Sequence, residues 1–146
     1  MSKEVDIRMH TAEHLLNGTM VKLVGGDRCF SAHIEKKKSK CDYYLDKDPG
    51  EEKIKLVEDK VNEVIKRDLP VLEKFISLEE ADKKFDLKRV PDSALDQDKI
   101  RIIEIGDYDA ATCKGPHVKH VSEIGEFRII SYDFKDGILR IRYKLI

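Results

Sequence analysis

The chain has 146 residues, enough for one domain whose core needs neither disulfides nor an obligatory partner. Its 28 Lys and Arg against 29 Asp and Glu leave a net charge of −1, which excludes a whole-molecule pull on nucleic acid and leaves any RNA contact to a local basic patch. No apolar run approaches the ~20 residues of a membrane-spanning helix, MSKEVDIRMH lacks a signal peptide's apolar stretch, and Cys29, Cys41 and Cys113 are too scattered for a disulfide framework, so a single domain over 1–146 in a reducing cytoplasm is expected.

Taken in chain order, the first periodic segment runs from about Ile7 to Val24. Ala12, Leu15, Leu16, Met20, Leu23 and Val24 recur at helical spacing, and Gly25-Gly26 closes the helix. RCFSAHIEKKKSKCDYYLD reads as a hairpin with its lysines near the turn. After Pro49-Gly50, EEKIKLVEDKVNEVIKRD is an amphipathic helix with Ile54, Val57, Val61, Val64 and Ile65 on one stripe. Acidic residues open it and Lys66-Arg67 close it, as the helix dipole favours. A strand PVLEKFIS, a short helix LEEADKKF and a polar loop around VPDSALDQDK follow. IRIIEIG is a buried strand, and a loop holds Cys113 and His117. EFRIISYDF and ILRIRYKLI flank Lys135-Asp136-Gly137, an Asp-Gly hairpin signal. The expected fold is α+β, a largely antiparallel sheet packed against at least two helices.

HTAEH places His10 and His14 four residues apart, which on a helix brings their β-carbons within about 6 Å on one face. TCKGPHVKH adds Cys113 and His117 across a Gly115-Pro116 bend. A thiolate with imidazoles suits zinc better than magnesium or calcium, which prefer oxygen. The expected centre is a zinc ion held by His10, His14, Cys113 and His117. Four protein donors also suit a structural ion, so its role stays open between catalysis, substrate placement and structure. HTAEH equally fits the H-x-x-E-H pattern of inverzincin peptidases, with Glu13 as base, but a Cys/His pair is a poor substitute for that family's acidic ligand. His120 reads as loop surface, and Cys29 and Cys41 as small buried residues. Lys36, Lys37, Lys38 and Lys40 form the compact basic cluster, placed either to grip phosphates or to solvate a hairpin tip.

HTAEHLL followed about a hundred residues later by CKGPHV resembles the editing domain shared by alanyl- and threonyl-tRNA synthetases and the free-standing alanyl-tRNA editing proteins of the AlaX type. The hairpin FSAHIEKKKSKCDYYLD and the stretch IRIIEIGDYDAATCKGPHVKHVSEIGEFRIIS extend the likeness over nearly the whole chain. The resemblance implies a hydrolase that clears a wrongly attached amino acid from tRNA, with zinc at His10, His14, Cys113 and His117. It places Thr11 where the family has a small hydroxyl residue beside the substrate, and His33 at the family's hairpin histidine, a candidate contact to the ester or the terminal adenosine. Glu13 and Lys114 are charged where relatives are often not, and GPHV is nearer the threonyl-type spelling.

The partner implied is mischarged tRNA, met at its 3′-aminoacyl end and acceptor stem, with no membrane. Without an aminoacylation module or a tRNA-recognition extension in the chain, the free-standing type acting in trans is expected. A pocket for a small amino acid cannot strongly reject an analogue differing by one small group, so a second, hydrolytic site is needed. Seryl-tRNA(Ala) is the first expectation. Seryl-tRNA(Thr), or a non-catalytic module binding tRNA or a synthetase, are the alternatives.

Overall fold

Asp6 starts the first helix. Its carboxylate accepts from Met9 N at 3.0 Å, which satisfies an amide that has no partner inside a helix. In the computed structural model, which describes residues 6–85 and 99–146, helix α1 spans Ile7–Leu23. It ends where Val24 N and Gly25 N both donate to Met20 O, and Gly25 and Gly26 turn the chain at φ of 99° and 78°. Met9, Ala12, Leu15, Leu16 and Met20 form its buried stripe. Helix α2 (Glu51–Lys66) buries Ile54, Val57, Val61, Val64 and Ile65 against α1, as the heptad-like spacing predicts.

The strands are antiparallel throughout the described residues, but they form two sheets where one was expected. The first has the order β1 (Ser31–His33), β2 (Ser39–Tyr44), β7 (Ile138–Leu145), β6 (Phe127–Lys135). Its β6–β7 turn places Asp136 and Gly137 at φ of 53° and 78°, the pair of left-handed conformations a tight two-residue hairpin requires. The second sheet has the order β3 (Val71–Ser77), β4 (Lys99–Ile105), β5 (Asp109–Thr112). The start of β3 also pairs with the segment that precedes β6: Val71 N donates to Lys119 O and Val121 N to Leu69 O, around an isolated Pro70–His120 bridge. Proline has no amide to extend that ladder.

β4 is buried on both faces. Ile100 and Ile102 meet Ala81 of α3 (Leu78–Lys84) in a small second core, and Ile105 joins the main one. β5 was not expected, because Asp-Ala-Ala-Thr carries no alternation of its own; it forms by pairing with β4. The loop expected around VPDSALDQDK lies outside the described residues up to Asp98. No helix among the described residues is long and apolar enough to cross a membrane.

Candidate metal centre and cleft

α1 and the second sheet bring the expected donors together. One ligand atom from each of His10, His14, Cys113 and His117 lies within 4.8 Å of all the others. Cys113 Sγ is 3.3 Å from His10 Nε2 and 3.3 Å from His117 Nε2. Atoms sharing a tetrahedral zinc sit on the order of 3.5 Å apart, given bonds of about 2.3 Å to sulfur and 2.0–2.1 Å to nitrogen. The His10 and His117 rings stack at 4.2 Å, and His14 meets both edge-on.

The hydrogen bonds set which ring nitrogens face inward. His10 Nδ1 lies 3.0 Å from Pro116 O, and a carbonyl only accepts, so the proton sits on Nδ1 and Nε2 offers its lone pair. Thr11 does the same for His117. Its Oγ1 donates to Ile7 O at 3.0 Å, accepts from Val118 N at 3.2 Å, and lies 3.0 Å from His117 Nδ1. With the hydroxyl proton on Ile7 O, His117 donates from Nδ1 and keeps Nε2 for the centre. An outer hydrogen bond of this kind orients metal-ligating histidines. His14 Nδ1 is buried without a hydrogen-bond partner, a cost a bound cation would relieve. The residues present fit a zinc ion.

Protonation agrees. Burial, with His117 and Arg28 nearby, holds the His14 imidazole well below its usual range. Burial and then His10 lower His117 to about 3. His10 is raised: burial pulls it down, but the Cys113 hydrogen bond and charge outweigh that. The His14 and His117 imidazoles are therefore neutral at pH 7, the form a metal ligand needs.

Two features of the Cys113 loop escaped the sequence. Arg101 Nη1 donates to Cys113 O at 3.0 Å and to Gly115 O at 2.8 Å, while its Nε pairs with Glu73. Its one available signal was a guanidinium inside the apolar run IRIIEI. Gly115 lies against His10, where a β-carbon would stand 2.4 Å from Cε1. Only glycine admits the ring.

A cleft of about 920 Å³ opens beside this centre, lined by His10, Glu13, His14 and Cys113 at one end and Arg28 and Asp109 along its wall. Arg28 grips Asp109 with bonds of 2.8 and 3.2 Å. Asn17, a polar residue on the buried side of α1, accepts from Tyr43 Oη at 2.8 Å and supports the floor. Thr11 is fully buried behind His117. His33 is not among the lining residues: it sits on β1, with its side chain 60% exposed and Nε2 2.8 Å from Glu35.

The comparisons with known proteins agree with this architecture. Residues 100–142, which include Cys113 and His117, match the family described as Threonyl and Alanyl tRNA synthetase second additional domain. Alanine–tRNA ligases from Staphylothermus marinus and Saccharolobus islandicus are each 34% identical to the chain, and that of Thermofilum pendens is 30% identical. Each alignment covers 94% of this chain but 15% of the relative, so the chain spans about a seventh of those proteins. By its fold, its matched segment and these relatives together, the chain is similar to the threonyl- and alanyl-tRNA synthetase second additional domain.

Proposed function

We propose that the chain is a zinc-dependent aminoacyl-tRNA deacylase that acts in trans, in the cytoplasm, on seryl-tRNA(Ala). The observation that carries this is the convergence of four zinc-type donors, from α1 and the loop after β5, three of which (His10, His14 and Cys113) line the end of one cleft. The relatives' name, alanine–tRNA ligase, points to tRNA(Ala). Serine, alanine-sized with one added hydroxyl, is the error a small pocket admits.

The scissile bond is an ester between the amino acid and a ribose hydroxyl of the terminal adenosine. Its hydrolysis needs the acyl group held, the oxyanion met and a water admitted. A zinc ion bound by His10, His14, Cys113 and His117 would supply positive charge that orients the aminoacyl end. The chain's own groups do the rest. Thr11 fixes His117, and through it the geometry at the serine end. Arg101 holds the Cys113–Gly115 backbone still. The Arg28–Asp109 pair stiffens the wall. His33 shares the β1–β2 hairpin with Lys36, Lys37, Lys38 and Lys40, and that hairpin is proposed to meet the tRNA 3′ end and acceptor-stem phosphates.

The test uses the purified chain, with its zinc content measured, against Ser-tRNA(Ala), Ser-tRNA(Thr) and Ala-tRNA(Ala). One zinc per chain is expected, with serine released from tRNA(Ala) at least tenfold faster than alanine. Faster clearance of Ser-tRNA(Thr) would reassign the tRNA. Binding of tRNA with no turnover would make the chain an accessory module.

A further inference from the structure

Glu13 has no part in the scheme so far, yet it is built into the same end of the cleft. It lies on α1 between His10 and His14 and lines the cleft with Arg28, Cys29 and Cys113. Its Oε2 is 3.8 Å from Cys29 Sγ, in position to accept from that buried thiol. Its Oε1 is 4.0 Å from His10 Nε2. The carboxylate thus lies between the buried Cys29 thiol on its core side and the zinc-type donors on the other. Its side chain is only 13% exposed, so its charge is poorly screened, and its field reaches His10, Arg28, Tyr43 and Tyr143.

The rest of the cleft carries mostly the opposite charge. Lys22, Arg28, Lys84, Lys99, Arg101 and Lys114 line it, against Glu13, Asp27 and Asp109. An excess of cations suits the phosphate and ribose end of a tRNA. It opposes the other end, because an aminoacyl group carries an ammonium on the carbon next to its ester carbonyl. Of the three carboxylates, Asp27 is exposed at the mouth and Asp109 is gripped on both oxygens by Arg28. Glu13 alone among them stands next to the imidazole and thiol donors.

We propose that Glu13 forms a subsite for the α-ammonium group of the substrate, so that the cleft selects esters of α-amino acids over esters of other small acids. The subsite rests on the deacylase proposal for its substrate class. A charge-assisted hydrogen bond at an almost buried carboxylate is the strong kind, and it fixes the acyl carbon relative to the donors on either side of Glu13.

The experiment is calorimetric and needs no turnover. The full zinc-loaded chain is titrated at pH 7 with 3′-deoxy-3′-(serylamido)adenosine and with the matching amide in which a hydroxyl replaces the α-amine. Wild type is expected to bind the amine ligand at least tenfold tighter. In Glu13→Gln that gap falls below threefold through weaker binding of the amine ligand alone, and Glu13→Asp restores part of it. Zinc content and the urea midpoint confirm that both variants are folded. The subsite is overturned if wild type binds the two ligands equally or binds neither. It is also overturned if Glu13→Gln keeps the gap or loses both ligands alike. Because neither ligand can be hydrolysed, a chain that discriminates here but deacylates nothing would sink the proposed function and leave the subsite standing.

Discussion

Thr11 shows how much a single hydroxyl decides at this centre. It is fully buried, and three groups converge on its Oγ1, among them His117 Nδ1 at 3.0 Å. Thr11→Val keeps the shape and removes the bond that orients His117. Zinc affinity, read by competition with a chromogenic chelator, is expected to fall about 10- to 100-fold. Unchanged affinity would show that His117 needs no such support. Gly115→Ala should be harsher, because its β-carbon would stand 2.4 Å from the His10 ring. Purified Gly115→Ala should carry under a tenth of the wild-type zinc, and a full complement would mean that the loop yields freely. The four donors could be picked out of the sequence because helical spacing and a Cys/His turn are local patterns. The partners of Thr11 could not, since His117 and Val118 lie more than a hundred residues away.

At the scale of elements, α2 is tied to β6 by one amide. Asn62 Nδ2 donates to Phe127 O and Phe127 N donates to Asn62 Oδ1, both at 2.8 Å, so the side chain acts as a short piece of strand. Glu58 adds a bond from Ile129 N at 2.7 Å. Asn62→Ala strips two partners from backbone groups beside fully buried Phe127 and should cost about 1–3 kcal/mol in urea unfolding. A loss under 0.5 kcal/mol would mean that water replaces the amide without penalty. α1, α2, β4 and the β6–β7 hairpin were legible, because each declares itself by period, cap or turn. β5 was not: Ala110 and Ala111 have no preference that four residues can express, and pairing with β4 supplies it.

For the whole molecule, the lowered histidines set a pH response in the metal-free state. His14 and His117 protonate more readily when unfolded, where a histidine takes its proton near pH 6.5. As pH falls below that value the unfolded state gains protons that the folded state does not, so stability drops, and the His117 share is complete only near pH 3. His10, raised when folded, works in the opposite sense, adding stability below 6.5 that fades as pH rises through its folded value. Two groups against one predict that the urea midpoint of chelator-treated protein falls between pH 7 and pH 5. A midpoint that rose would place these imidazoles in a more solvated setting. Binding of tRNA should weaken with salt despite the net charge of −1, and replacing Lys36, Lys37, Lys38 and Lys40 with alanine should flatten the log–log salt slope. An unchanged slope would remove the hairpin from the interface. By itself the sequence determined the helices, the antiparallel character, the four candidate donors and the kinship, because these rest on local spacing and on motifs that stay readable along a chain. Only the tertiary structure decided that the described strands form two sheets, that Arg101 bonds the backbone of Cys113 and Thr11 the ring of His117, and that Glu13 but not His33 is among the residues lining the cleft. Each of these depends on which distant backbone a side chain meets, and that is settled by packing, not by neighbours in sequence.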